Sequence, residues 1–177
     1  MNKMNLYLHR MHAFDASLCV SLNRTSRHRW VRLAFQLISR LGDGVFWYTV
    51  MLAIVLADPI NGWAPALHMA LAGLCGTMVY KWLKGKTLRP RPYEVHQAIL
   101  LAAAPLDQFS FPSGHTLHAV VFCSVGLAYF PVLAWLLLPF TLLVALSRLV
   151  LGLHYPSDVL AGAVIGALIA GLSFMLV

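Results

Sequence analysis

Acidic side chains are scarce in this 177-residue chain: there are six Asp and Glu against 13 Lys and Arg. Charged residues of both signs make up 11%, and 60% of the chain is hydrophobic. A soluble domain carries about 25% charged residues. So little charge excludes an ordinary water-facing surface, and a chain this short cannot bury so much apolar area in one core. The three cysteines, Cys19, Cys75 and Cys123, stand apart in apolar surroundings. That spacing gives neither a disulfide framework nor a zinc knuckle, and they read as small buried hydrophobes. The first residues hold no apolar run ending in a small-residue cleavage site, so no signal peptide is expected. Repeats and low-complexity tracts are absent. The net charge of +7 comes without any nucleic-acid-binding motif, which argues against nucleic acid and for an anionic lipid surface or ligand.

What is present is apolar run after apolar run. Five predicted spans cover about 45–57, 64–83, 115–130, 132–150 and 158–177, near the length a bilayer requires. The first is short and is expected to borrow residues upstream or to tilt. Gly42-Asp43-Gly44 before it reads as a turn. Residues 1–40 are mixed. Charges interrupt both of their helical stretches, which read as amphipathic helices lying at the interface or packed on the bundle. Crossing by residues 4–22 would make a sixth span. The last span carries Gly162, Gly166 and Gly171 among alanines, a pattern for close helix packing in lipid. The predicted fold is all-α: a polytopic membrane helix bundle forming a single domain over residues 1–177.

Polar residues at membrane depth need a partner or a task, and they gather in three clusters. The first runs from Lys84 to Arg91-Pro92, the second is Pro112-Ser113-Gly114-His115, and the third joins Ser147-Arg148 to His154 and Asp158. Counting spans brings all three to one face of the membrane. Lys84, Arg91 and Arg148 offer positive charge, and Arg presents forked donors that match phosphate oxygens. Ser113 and Gly114 precede a helix start, whose amides and hydroxyl suit an anion. Asp158 lies four residues beyond His154, close enough on a helical turn to orient its ring and leave the other nitrogen free to attack. His115 then suits a general acid. A metal held by His115, His154 and Asp158 is the competing reading, but three cations nearby favour an anion. Snorkelling of span-end cations explains Lys81 and Lys86, not His115 or Arg148. Asp107 and Glu94 are candidates to pair with the surplus arginines, and His118, one turn beyond His115, is a candidate to line the cavity.

These motifs resemble the type 2 phosphatidic acid phosphatase family in order and spacing. A Lys is followed after six residues by Arg-Pro (Lys84, Arg91, Pro92), then come Pro-Ser-Gly-His (Pro112 to His115) and Ser-Arg, five residues, His, three residues, Asp (Ser147, Arg148, His154, Asp158). The resemblance implies His154 as a nucleophile forming a phosphohistidine, Asp158 orienting it, and His115 protonating the leaving group and later activating water. Lys84, Arg91, Ser113, Gly114 and Arg148 would hold the phosphoryl oxygens, with no metal or cofactor. The implied partners are the bilayer and a membrane lipid carrying a phosphate or diphosphate. Undecaprenyl diphosphate is favoured. Phosphatidylglycerophosphate, phosphatidic acid and lipid A phosphate stand as alternatives, as do a lipid phosphotransferase and a non-enzymatic anionic-lipid carrier. Family members typically have six spans, and bacterial ones place the site on the outer side of the cytoplasmic membrane. The arginines of residues 10–40 would by the positive-inside rule draw that face inward.

Overall fold

The computed structural model describes residues 3–176, with side chains from residue 13 onward. The chain is all helical: α1 Lys3–Asn23, α2 Arg29–Arg40, α3 Phe46–Ala57, α4 Trp63–Thr87, α5 Pro92–Val95, α6 Gly114–Tyr129, α7 Ala134–Val150 and α8 Pro156–Ser173. Three segments are long and apolar enough to cross a bilayer: Arg29–Ala57, Pro131–Val150 and Pro156–Ser173, with mean hydropathies of 1.4, 2.0 and 1.6. No more than 28% of any of these windows is buried. Leu52, Leu56, Leu142, Leu160 and Leu168 all face outward. An exterior this apolar is matched by lipid, not water.

Helix α6 is the central post, packed against α4, α7 and α8. Its Leu117, Val121 and Val125 are fully buried, with Trp47, Met69, Leu137 and Val144 around them. Two of the three glycines of α8 make this packing possible. A Cβ on Gly162 would lie 2.5 Å from the Ser113 carbonyl oxygen, and one on Gly166 would lie 2.6 Å from that of Leu117. The α6 and α8 backbones therefore meet directly, as small residues permit in membranes. Gly171 takes no part, having nothing within 4 Å of its Cβ position. Cys19 and Cys123 are buried as expected, whereas Cys75 is exposed on the outside of α4.

The expected turn at Gly42-Asp43-Gly44 is a kink. Leu41–Val45 links α2 directly to α3, and within it Gly44 takes φ 140° and ψ −32°, values outside any helix. The two helices form one kinked rod over Arg29–Ala57, and the apolar stretch at 45–57 borrows its length upstream. Glycine permits that conformation without a Cβ penalty.

Helix α1 lies across the end of the bundle where the polar clusters meet. Asp15, Cys19 and Asn23, one residue per turn along a single face, contact the connection between α7 and α8. Asp15 accepts from the Ser157 amide at 2.9 Å, the Cys19 thiol is 3.6 Å from the His154 carbonyl, and the Asn23 amide donates to the Val150 carbonyl at 2.9 Å. Helix α1 therefore backs the loop that carries His154.

Candidate active site

Five polar side chains expected to converge do so. Lys84, Arg91, His115, Arg148 and His154 line one cavity of about 800 Å³ at the end of the bundle, with Gly114 and His118 in its wall. Helix ends place them: Lys84 comes from the last turn of α4, Arg91 caps α5, His115 opens α6, Arg148 closes α7 and His154 precedes α8.

The three cations are held differently. The Lys84 ammonium reaches both carboxylate oxygens of Asp107 at 2.6 Å and the Phe109 carbonyl at 3.0 Å. Arg91 donates to Asp107 Oδ1 at 2.6 Å, to the Asp107 carbonyl at 3.0 Å and to the Leu153 carbonyl at 2.7 Å. It thereby ties down the residue before His154. Asp107 is the expected partner of the surplus cations. Burial opposes its charge, but Lys84 and Arg91 outweigh that and hold the carboxyl below the ordinary carboxylate range. Arg148 has no carboxylate partner among the described residues. It is 2% exposed, one nitrogen donates to the Ser39 hydroxyl at 2.5 Å, and its Nε–H has no partner at all. Arg148 lines the cavity, and a guanidinium there that no carboxylate neutralises suits an anion.

His154 is 1% exposed, and its Nδ1 lies 2.6 Å from the Ser110 carbonyl. A carbonyl only accepts, so Nδ1 carries the hydrogen and Nε2 keeps its lone pair. Burial above all, then the charges of Arg148, Arg91 and Lys84 and the neighbouring His115, pushes this imidazole well below its ordinary value. His154 is therefore neutral, with a free nucleophilic nitrogen. Asp158 sits 3.8 Å from Nδ1, beyond hydrogen-bond reach. Instead of holding the ring directly, its carboxylate accepts from the Tyr155 amide at 2.9 Å and from Arg89 at 2.5 Å. Arg89 also pairs with Asp15 at 2.7 Å. The ring's direct partner is a backbone carbonyl, and Asp158 braces the turn that carries it.

The serine of the second cluster also differs from expectation. The Ser113 amide donates to the Asp158 carbonyl at 3.0 Å and its hydroxyl shares a hydrogen with Thr116 at 3.0 Å. Ser113 is fully buried and its amide is not free for an anion. The amides of Gly114 and His115 follow it at the start of α6, and these residues do line the cavity. His118 lines it as well, with its ring against the carbonyls of Gly114 at 2.8 Å and Gly73 at 3.1 Å. Glu94 pairs with no guanidinium among the described residues; it accepts from the Arg91 amide at 2.9 Å as part of a helix cap. Among the described residues, no group of three or more His, Cys, Asp or Glu is arranged to hold a metal ion.

Two residues of this site were not anticipated. Asp43, from the kink, hydrogen bonds His115 Nε2, and Ser39, four residues earlier, holds Arg148. A signal for Asp43 was available: it is the one acidic residue in the apolar stretch 29–57, and an acid there is costly without a role. Five of the six acidic residues (Asp15, Asp43, Glu94, Asp107 and Asp158) lie in the site or brace it. Only Asp58, which binds the 60–61 amides in the far loop, stands elsewhere.

Comparison with known proteins agrees with this geometry. The chain is 31% identical over 130 residues to the undecaprenyl-diphosphatase BcrC of Bacillus subtilis, covering 73% of this chain and 67% of that protein. It is 36% identical over 139 residues to the undecaprenyl-diphosphatase of Sulfolobus acidocaldarius, covering 77% and 66%. To the lipid A 1-phosphatase of Rhizobium johnstonii it is 31% identical over 115 residues, covering 59% of this chain and 47% of that one. The chain thus spans about half to two thirds of the length of these relatives. In fold it matches the crystal structure of LpxE from Aquifex aeolicus, with a TM-score of 0.77, 25% identity and coverage of 90% and 93%. It also matches that of a transmembrane PAP2-type phosphatidylglycerolphosphate phosphatase from Bacillus subtilis, with a TM-score of 0.72, 24% identity and coverage of 94% and 86%. The PAP2 superfamily model matches residues 61–177, the stretch that carries all three polar clusters. The chain is an integral membrane protein and belongs to the PAP2 superfamily of membrane lipid phosphatases.

Proposed function

We propose that this protein removes a phosphoryl group from a membrane lipid through a covalent intermediate on His154. The observation that carries the reading is the meeting, in one cavity, of a neutral His154 with Arg148, which has no carboxylate partner among the described residues. Lys84 and Arg91 extend the positive wall, and the Gly114 and His115 amides at the start of α6 add donors suited to phosphoryl oxygens. The lone pair on His154 Nε2 attacks phosphorus, and the bond to the leaving oxygen breaks as His115 supplies a proton. Water, deprotonated by His115, then attacks the phosphohistidine, and the electron pair of the P–N bond returns to His154. Fixed cations suffice for the charge on the transferred phosphoryl group. Asp107 stands where such an anion would meet Lys84 and Arg91, so substrate competes with it or shares those donors.

Undecaprenyl diphosphate is the favoured substrate, supported by the two undecaprenyl-diphosphatases at 31% and 36% identity. Phosphatidylglycerophosphate and lipid A phosphate are the second reading, from the names of the structural and Rhizobium relatives. In the proposed topology five segments cross the membrane, the rod of α2 and α3 being the first and α4, α6, α7 and α8 following. Helix α1 rests at the interface on the site's side, which faces outward from the cytoplasmic membrane. A single domain results, with residues 1–40 as its amphipathic entry. The test is phosphate release by purified protein from undecaprenyl diphosphate, phosphatidylglycerophosphate, phosphatidic acid and lipid A in mixed micelles. Fastest release from undecaprenyl diphosphate is expected. Fastest release from another lipid replaces the substrate, and release from none overturns the phosphatase reading.

A further inference from the structure

The kink at Leu41–Val45 is a costly piece of backbone in the middle of a membrane-crossing rod, and three features of it converge. Gly44 takes φ 140°, a conformation that side chains rarely adopt, and a Cβ there would lie 2.7 Å from the Tyr48 ring. A Cβ on Gly42 would lie 3.0 Å from the Val144 side chain, so the rod approaches α7 as closely as a glycine allows. Between these two glycines the turn sends Asp43 to the cavity wall, where its Oδ1 accepts a hydrogen bond from His115 Nε2. Backbone held in a sparsely populated conformation clusters at functional sites. The turn lies outside residues 61–177, the part matched by the superfamily model, so the family's three motifs do not include it.

Resting on the phosphatase reading, we infer that Asp43 is a positioning residue for the acid-base histidine, so that Asp43 and His115 work as a dyad. The hydrogen bond fixes Nε2 as the protonated nitrogen, because a carboxylate only accepts. The second nitrogen, Nδ1, has no hydrogen-bond partner among the described residues and is left to exchange protons with substrate. In the first step the P–O bond breaks, its electron pair stays on the leaving oxygen, and that oxygen takes the proton of His115 Nδ1. His115 becomes neutral while its Nε2–H stays on Asp43. In the second step Nδ1 takes a proton from water as the water oxygen bonds phosphorus and the P–N bond breaks. Asp43 remains a carboxylate throughout. Its task is to hold the ring in one orientation and one tautomer, as a carboxylate does behind a catalytic histidine. A simple clasp between the rod and α6 is the structural alternative, and it makes different demands on the kinetics.

The experiment is a double-mutant cycle on phosphate release with Asp43→Ala, His115→Ala and the double variant, using the lipid that wild type turns over best. Thermal midpoints in the same detergent are measured alongside. Asp43→Ala is expected to lower kcat by about tenfold or more with KM within about twofold. The double variant is expected to be no slower than His115→Ala alone, since the effect passes through that ring. If Asp43→Ala does not fold, the similarly shaped Asp43→Leu, which cannot accept from Nε2–H, carries the same test. A kcat within about twofold of wild type overturns the dyad, and so does a double variant slower than His115→Ala by the full factor of the single change. A wild type without turnover on any lipid overturns the phosphatase reading instead, so the two failures are distinct.

Discussion

The segment from Lys84 to Asp158 and the rod from Arg29 to Ala57 contribute to one cavity, but they do so in opposite ways. The first places its polar residues at helix ends and in connections, where chain direction and turn chemistry announce them. The second reaches the site from within its length, through Ser39 on the inner face of α2 and Asp43 at the kink. Function held at helix ends can be read locally, from residue type and spacing. Function held by a packed helix depends on which helix faces it, and that is a tertiary fact. The rod also supplies support more than chemistry: it holds Arg148 and His115, the residues that the proposed mechanism brings to substrate.

The comparison breaks most visibly at Arg148. Arg148→Ala is expected to lower kcat by about 10²–10³-fold, the usual loss on removing a donor from a developing oxyanion. Phosphate-release kinetics on the best lipid substrate check this. A loss below tenfold would mean that Lys84 and Arg91, despite their pairing with Asp107, carry the anion between them.

The rod side of the comparison is sharpened at Gly44. A Gly44→Ala variant must hold its Cβ at φ 140° and also displace the Tyr48 ring, the backbone strain alone costing roughly 1–3 kcal/mol. A lower thermal midpoint together with a lower kcat is expected, because the same strain displaces Asp43. A lower midpoint with unchanged kcat would separate the turn from the site.

The smallest effect is expected at Asp107. Its carboxyl titrates below the ordinary carboxylate range because Lys84 and Arg91 favour its charge over the opposing effect of burial. A depressed value in the folded state means that the pairing stabilises the fold at neutral pH. That contribution begins to fade as pH falls past the unfolded carboxylate value and is lost below the folded one. Partial exposure of the side chain, 36%, keeps the effect modest. Thermal midpoints of wild type and Asp107→Asn should therefore converge as the buffer is taken from neutral into acid. A gap that stays constant with pH would show that the carboxylate charge is not what matters.

Much of this was legible beforehand, for physical reasons. The lipid-facing surface follows from composition. The meeting of Lys84, His115, Arg148 and His154 follows from the alternating direction of membrane helices. The identity of the histidine's partner did not follow. A spacing of four puts Asp158 near His154, yet the carboxylate turned to the Tyr155 amide and Arg89, and the ring found the Ser110 carbonyl. Ser113 likewise sits in its motif, but its hydroxyl went to Thr116. Such choices among several acceptors within a few ångströms are decided by packing, which spacing does not encode. Gly42-Asp43-Gly44 signals a break, and the chain does kink at Gly44. What two glycines do not encode is that the kink brings one carboxylate to the cavity.

The central claim is that His154 is the phosphorylated residue. Brief reaction of wild type with a substrate lipid labelled in its terminal phosphate, quenched in alkali and digested, reads it directly. A labelled peptide containing residue 154, stable in base and labile in acid, is predicted, with none from His154→Ala. Label on another residue, or rapid phosphate release by His154→Ala, would contradict the account.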